Sequence, residues 1–142
     1  MSANLLLDNS AWARLDHPAL CRERADEVAT LLEQGRLSVC LPFLLEAGYS
    51  ARRGGDYVPL IGDLLALPRV RIDEHVEERA LDAQRQLARA GHHRLPPVDV
   101  IVGAIADTHG FGILHYDSDY DLLAEKTDLS YESVWLANRG SI

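Results

Sequence analysis

The 142-residue chain has 22 acidic side chains against 14 Lys and Arg, a formal net charge of −8 at pH 7, and 47% hydrophobic residues. This length suits one hydrophobic core, so we expect residues 1–142 to form a single domain. The charge argues against a broad basic surface for nucleic acid, although bound divalent cations and locally concentrated basic residues would offset it. The lack of a long apolar segment and of a signal-peptide pattern predicts a cytoplasmic protein with no membrane partner.

The first half of the chain predicts short strands that alternate with helices. Apolar runs at residues 4–8 and 37–41 predict buried strands. Helical spacing predicts a helix over 19–35 that ends at a glycine, and Pro42 suits the first turn of a helix that ends near residue 53. Gly54 and Gly55 predict a break before a shorter helix over 57–67.

The second half continues this alternation. A strand is predicted over 69–72, the best intrinsic helix over 74–90, and a loop over 91–97. An apolar helix over 98–109 ends at Gly110, a strand follows over 112–116, and a helix to about residue 126 precedes a last strand over 131–136. Strands that alternate with helices predict an α/β fold with a parallel sheet covered on both faces.

Four acidic residues stand where the predicted elements meet. Asp8 and Asp117 directly follow strands, and Glu46 and Asp99 lie near the starts of helices. Because ligands of parallel sheets bind at the carboxyl ends of the strands, all four side chains can reach one edge. Asp8 and Asp99 also adjoin apolar runs, where an unpaired carboxylate is costly, so we expect a cation to neutralise them.

Oxygen ligands without cysteine or regularly spaced histidine favour Mg²⁺ or Mn²⁺ over zinc. Such ions activate water and stabilise charge in the hydrolysis of a phosphodiester, which is nuclease chemistry. Ser10 could place its hydroxyl beside the metal or its water. Asp119 and Asp121 could each supply a further ligand or hold a water molecule near the ion, although of the two Asp121 is expected to stand aside. Cys21 and Cys40 lack C-x-x-C spacing and are expected to be buried and reduced.

Each acid also has a purely structural interpretation. Asp8 or Asp99 can cap a helix, Asp117 can form an Asx turn, and Glu46 can be an ordinary exposed helix glutamate. The chain would then be a non-catalytic α/β binding module. A different metal-dependent phosphohydrolase or a DNA nuclease on the same carboxylates also stays open.

Four motifs resemble the PIN-domain ribonucleases, in the order of that family. They are Leu-Asp-Asn-Ser-Ala-Trp at 7–12, Leu-Leu-Glu-Ala-Gly-Tyr-Ser at 44–50, Val-Asp-Val-Ile-Val-Gly-Ala-Ile-Ala at 98–106 and His-Tyr-Asp-Ser-Asp-Tyr at 115–120. The chain length also resembles the VapC toxins of bacterial VapBC toxin–antitoxin modules. The resemblance implies a three-layer α/β/α sandwich with a mainly parallel, about five-stranded sheet. It further implies a Mg²⁺- or Mn²⁺-dependent endoribonuclease that forms a homodimer and is inhibited by a VapB antitoxin.

The resemblance also assigns roles to individual residues. It makes an acidic quartet of Asp8, Glu46, Asp99 and Asp117, with Ser10 as the accompanying hydroxyl and Asp119 as an accessory acid. RNA is the implied substrate, with tRNA among the candidates. Basic residues that could bind its phosphates are Arg52, Arg53, His92, His93 and Arg94.

Two further features of the sequence leave alternatives open. Gly103 stands where the family usually has alanine, and it would allow either closer helix packing or local loosening. An apolar face could serve a dimer, an antitoxin helix or simply the core; it comprises Tyr57, Leu60, Ile61, Leu64 and Leu65.

Overall fold

The computed structural model describes residues 4–142 and contains one five-stranded sheet. Its strands are β1 (Leu5–Leu7), β2 (Leu37–Cys40), β3 (Arg69–Val70), β4 (Gly112–His115) and β5 (Ser133–Trp135). They lie in the order β3-β2-β1-β4-β5, and each neighbouring pair is parallel. The first three residues of the expected 1–142 domain lie outside the described part of the chain.

Seven helices of the described chain cover the sheet. They are α1 (Asn9–Trp12), α2 (Arg22–Glu33), α3 (Leu41–Tyr49), α4 (Gly54–Leu65), α5 (Glu74–Arg89), α6 (Pro97–His109) and α7 (Asp119–Lys126). Right-handed crossovers place α1 to α4 on one face, because the chain there moves from β1 to β3, and α5 to α7 on the other. The expected three-layer α/β/α sandwich is therefore confirmed. No helix among residues 4–142 is long and apolar enough to cross a membrane.

The three interior strands, β2, β1 and β4, are buried because helices cover both of their faces. The three leucines of β1 are fully buried, and a strand buried on both faces carries a continuous rather than an alternating apolar run. A Cβ added to Gly112 in β4 would lie 2.6 Å from a methyl group of Leu5. Glycine at that position therefore lets β4 lie closely against β1.

The order of the strands determines where along the sheet the candidate site lies. The chain leaves β1 toward β2 but leaves β4 toward β5, so the connections of these two neighbours diverge. A crevice opens at their carboxyl ends, which is where ligands bind in open α/β sheets. Asp8 and Asp117 follow these two strands.

Several predicted boundaries are wrong. Gly54 and Gly55 form the first turn of α4 rather than a break, since Tyr57 of that turn packs against Gly48 of α3. Helix α3 ends at Tyr49, and β3 contains only two residues. Cys40 is buried as expected, but Cys21 is exposed because it is the N-cap residue of α2 at the surface.

The structure decides between the two interpretations of Gly103. A Cβ at this position of α6 would lie 2.5 Å from Cδ2 of Leu123 in α7, with Leu129 and Tyr131 also within 4 Å. Glycine here allows close packing of α6 against α7. This contact fixes Asp99 on α6 relative to Asp119 on α7.

Candidate metal centre

Asp8 lies at the junction of β1 and α1. It is the N-cap residue of α1, and its Oδ2 accepts hydrogen bonds from the amide of Ser10 at 3.0 Å and from the Ser10 hydroxyl at 2.5 Å. Its Oδ1 accepts a bond of 2.6 Å from the hydroxyl of Tyr120. The capping interpretation is therefore correct, but Asp8 is also only 5% exposed and aimed at the edge between β1 and β4.

Asp99 occupies the first turn of α6 but does not cap it, since the N-cap residue is Pro96. Its carboxylate is 8% exposed and lies 3.2 Å from the Tyr120 hydroxyl. Burial, followed by the negative charges of Asp117 and Asp8, raises the pKa of Asp99 to about 7. A carboxyl group with such a pKa is held where its negative charge is poorly stabilised by the protein alone.

Asp117 lies in the turn between β4 and α7, and Asp119 is the first residue of α7. The amide of Asp119 donates to Oδ1 of Asp117 at 2.9 Å, so the expected Asx turn is present. One carboxylate oxygen of each of Asp99, Asp117 and Asp119 lies within 4.8 Å of the others. Asp119, which was expected to be an accessory acid, thus lies in one close group with Asp99 and Asp117.

Glu46 lies on α3, on the opposite side of the sheet from α6. It is half-buried and not an ordinary exposed helix glutamate. Burial raises its pKa above the usual value, and the charges of Asp8 and Asp117 raise it further. Glu46 therefore lies within electrostatic range of Asp8 and Asp117.

Tyr120 has a part in the site that the sequence did not indicate. Its side chain is fully buried, and its hydroxyl lies between Asp8 of one layer and Asp99 of the other. Burial, together with the charges of Asp8 and Asp99, raises the pKa of Tyr120 well above the usual value, so its hydroxyl remains a protonated donor. The sequence offers one sign that could have indicated this role, since Tyr120 carries a hydroxyl at the aromatic position that ends the motif at 115–120.

A buried histidine holds the start of the Asp117 turn. His115 is fully buried, and its Nδ1 accepts a hydrogen bond of 3.1 Å from the amide of Asp117. The neutral ring therefore carries its proton on Nε2, which donates to the hydroxyl of Ser133 at 2.7 Å. Burial lowers the pKa of His115, which keeps the ring neutral.

The chain of hydrogen bonds that begins at His115 ends on Asp121. Its carboxylate accepts from the Ser133 hydroxyl at 2.5 Å and from the Trp135 indole at 2.9 Å. Asp121 is not part of the acidic group around Asp99. It instead links α7 to β5, a connection that was not predicted.

The four acids of the expected quartet have no basic partner in the described part of the chain. Within residues 4–142, no Lys, Arg or His nitrogen lies within 4 Å of a carboxylate oxygen of Asp8, Glu46, Asp99 or Asp117. Buried, hydrogen-bonded carboxylates without a counter-charge, all offering oxygen atoms, are suited to a hard divalent cation. The donor set therefore fits Mg²⁺ or Mn²⁺.

The five basic residues that could bind phosphates lie in different parts of the structure. His92 and Arg94 line a cleft of about 330 Å³ that also includes Asp119. His93 instead lines a different groove, together with Leu81 and Arg85. Arg52 and Arg53 are exposed in the turn between α3 and α4. Of these two clefts, the one lined by His92 and Arg94 shares a residue, Asp119, with the acidic group.

The family comparison covers most of the chain. A model of the PIN domain matches residues 5–126. Ribonuclease VapC51 of Mycobacterium tuberculosis is 33% identical over 142 residues, which cover 100% of this chain and 99% of the relative. Ribonuclease VapC21 of the same organism is 36% identical over 137 residues, which cover 94% and 96%.

Solved structures resemble this one over nearly their full length. DNA-bound VapBC from Salmonella typhimurium contains a chain with a TM-score of 0.71 and 14% identity, with 94% of this chain and 98% of that chain covered. VapBC2 from Rickettsia felis, bound to a DNA fragment from its promoter, gives a TM-score of 0.72 and 10% identity, with coverages of 92% and 98%. At these identities the likeness concerns the fold.

Proposed function

Since the chain belongs to the PIN-domain family and aligns over its whole length with VapC ribonucleases, we propose that it is a metal-dependent endoribonuclease, the toxin of a VapBC pair. The observation that carries the proposal is the group of unpaired carboxylates at the carboxyl ends of β1 and β4. We propose that the single PIN domain spans residues 1–142. RNA, with tRNA among the candidates, is the proposed substrate.

The proposed ion is Mg²⁺ or Mn²⁺, held by Asp8, Glu46, Asp99 and Asp117, with Asp119 as a further ligand. A divalent ion at this place supplies charge stabilisation and activated water for hydrolysis of a phosphodiester. The raised pKa values of Glu46 and Asp99 support this assignment, because both carboxyl groups lack a counter-charge in the protein. Ion binding would stabilise their ionised forms.

The chain's own groups orient these carboxylates. Ser10 donates to Asp8 and accepts a hydrogen bond of 2.9 Å from the amide of Tyr116. Its hydroxyl therefore joins the ends of β1 and β4 and is not placed as a nucleophile with its own base. Tyr120 fixes Asp8 relative to Asp99, and His115 fixes the backbone of Asp117.

The proposed protein partners are a VapB-type antitoxin and a second copy of the chain. Large apolar side chains are exposed on α3 and α4: Leu41, Leu45, Tyr49, Tyr57, Val58 and Leu65. Leu64 from the expected apolar face is buried in the core and Leu60 packs against it, so that face is divided between core and surface. Exposed apolar side chains of this number support a protein interface.

The test of function is cleavage of RNA by the purified protein with Mn²⁺, Mg²⁺ or EDTA. We expect cleavage with a metal ion and none with EDTA, and loss of cleavage in Asp8→Asn and Asp99→Asn, which preserve side-chain size. Asp26→Asn, at an exposed aspartate of α2, is the matched control. RNA that stays intact under all conditions, without calorimetric evidence of metal binding, would contradict the proposal. Cleavage of DNA alone would identify the alternative nuclease.

Expression tests the toxin assignment separately. We expect the wild-type chain to arrest growth of a host cell, and the arrest to be relieved by co-expression of its antitoxin. Asp99→Asn should permit growth without the antitoxin. Growth arrest by Asp99→Asn as strong as by the wild type would separate toxicity from the acidic site.

A further inference from the structure

Arg14 lies just after α1 and is held in one orientation. Its Nη1 donates to the carbonyl oxygen of Ser10 at 2.8 Å, and the guanidinium carbon lies 4.7 Å from the centroid of the Tyr116 ring. The side chain is half-buried. A guanidinium stacked on an aromatic ring keeps its edge available for a planar, two-oxygen partner.

Arg14 lacks a negatively charged partner. No carboxylate oxygen of residues 4–142 lies within 4 Å of its guanidinium, although the chain contains 22 acidic residues. The half-buried Arg24 and Arg79 differ, since Arg24 pairs with Glu27 and Arg79 with three aspartates. Only one of the five guanidinium N–H groups is needed for the bond to Ser10, so the others remain available.

The contacts of Arg14 place it beside the acidic cluster. Ser10, which accepts its hydrogen bond, donates to Asp8. Tyr116, whose ring it covers, directly precedes Asp117. Arg14 is thus connected through one residue to an acid on each side of the crevice between β1 and β4.

A cation at this position would reduce the electrostatic repulsion between the acidic protein and the phosphates of a bound nucleic acid. The acidic residues repel a nucleic acid backbone, and an ion at the cluster compensates only near the phosphate that is cleaved. The neighbouring phosphates of the strand require separate cationic contacts, and arginine binds phosphate through two parallel N–H bonds. A guanidinium that is already ordered loses little side-chain entropy when it binds.

We propose that Arg14, stacked on Tyr116, binds a phosphate of the RNA strand next to the phosphate that is cleaved. This inference rests on the proposed ribonuclease function and adds a binding residue to it. Arg14 belongs to the α1–α4 layer, whereas the cleft of His92 and Arg94 belongs to the other layer. An RNA strand that crosses this edge of the sheet would contact a cationic side chain on each side of the metal site.

Steady-state cleavage of a short single-stranded RNA, measured over a range of KCl concentrations, tests the role of Arg14. We expect Arg14→Ala to raise KM on the order of tenfold while kcat stays within about twofold. The slope of log kcat/KM against log salt should become shallower by about 0.7, the value for one phosphate contact to a single strand. Arg14→Lys keeps the charge and should retain the slope with an intermediate KM.

The matched control is Arg22→Ala, at an exposed arginine that begins α2, and it should leave both KM and the slope unchanged. Calorimetric titration with Mn²⁺ separates binding from a structural role, because a phosphate contact does not affect metal affinity. If Arg14→Ala weakened Mn²⁺ binding and lowered kcat without changing the salt slope, Arg14 would be a brace for Ser10 and the inference would be wrong.

Two other results distinguish failure of this inference from failure of the function. A wild-type protein that cleaves RNA, with an Arg14→Ala variant of equal KM and slope, would overturn the inference alone. A wild-type protein that cleaves no RNA would overturn both. Should Arg14→Ala fail to fold, Arg14→Lys and Tyr116→Leu decide the question, and an unchanged KM in both would contradict the proposal.

Discussion

The Tyr120 hydroxyl donates a 2.6 Å hydrogen bond to Oδ1 of Asp8, a residue 112 positions earlier in the chain. The same hydroxyl lies 3.2 Å from Asp99, so a phenol at the start of α7 connects carboxylates carried by β1 and α6. Two proposed ligands from distant parts of the sequence are thereby held in fixed positions relative to each other before any ion binds.

Replacing Tyr120 with Phe should reduce activity most strongly at low pH. The variant keeps the ring but removes the hydrogen bond that lowers the pKa of Asp99. The pKa of Asp99 should therefore rise, and the acidic limb of the kcat profile should move to higher pH. We expect a loss of stability of about 1–3 kcal/mol from the unpaired Asp8 oxygen. A profile that keeps its shape would contradict this role.

Asp99→Asn should stabilise the metal-free protein at alkaline pH. Because the pKa of Asp99 is raised to about 7 in the folded state, its contribution to stability is fully present only below the unfolded value of 3.8. That contribution is lost as the pH rises through about 7. At about 1.4 kcal/mol per pKa unit, the variant should gain roughly 2–4 kcal/mol at pH 8.

Urea unfolding in EDTA at pH 8 and pH 5 measures this effect. The difference between Asp99→Asn and the wild type should shrink at the lower pH, where the wild-type carboxyl group is protonated. Addition of Mn²⁺ should stabilise the wild type more than the variant. A variant that is less stable than the wild type at pH 8 in EDTA would refute the explanation.

Ser133→Ala should lower kcat beyond its effect on stability. The change removes the hydroxyl that accepts from His115 and donates to Asp121, so both partners lose a hydrogen bond. We expect a stability loss of about 1–3 kcal/mol and a displaced Asp117 turn. Cleavage well below the melting temperature and calorimetry with Mn²⁺ measure the consequence. Ser130→Ala, at an exposed residue three positions before Ser133, should have normal activity.

Gly103→Ala and Gly62→Ala should change stability in opposite directions. A Cβ at Gly103 meets Leu123 at 2.5 Å, whereas a Cβ at Gly62 of α4 meets nothing within 4 Å. We expect a loss of about 1–3 kcal/mol for the first change and a gain of about 0.5–1 kcal/mol for the second. Thermal unfolding of both variants provides the comparison, and equal melting temperatures would exclude tight packing at Gly103.

Arg94→Ala should weaken RNA binding, and His93→Ala should not. Arg94 shares its cleft with Asp119, but His93 lines the groove near Arg85. A phosphate contact at Arg94 would raise KM and make the salt dependence of cleavage shallower. Equal effects of the two substitutions would indicate only a general contribution of surface charge.

The part of the site that depends on strand order could be predicted from the sequence. An acid within two residues of the end of a strand, at Asp8 and again at Asp117, is sufficient to place both residues at the carboxyl edge of a parallel sheet. Asp99 could be added because it lies in the first turn of a helix that follows this edge, whereas Glu46 lies in the second turn of α3. The periodicity of apolar residues carries this information locally.

Contacts between distant residues could not be predicted in this way. Tyr120 reaches Asp8 across the whole fold, and Ser133 joins His115 to Asp121 through β5. Neither pairing leaves a periodic pattern in the sequence. Gly54 and Gly55 are similar, since their helical conformation depends on packing between α3 and α4 and overrides their low intrinsic propensity.

The strand β5 gives the enzyme a vulnerable point that differs from its core. It has three half-buried residues and pairs only with β4, yet its Ser133 completes the hydrogen bonds that hold His115 beside Asp117. Short edge strands open at a lower free energy than central strands. Fraying of β5 would therefore abolish RNA cleavage while the backbone amides of the β1 leucines remain protected from hydrogen exchange. Loss of activity in mild denaturant would report on three residues at the sheet edge.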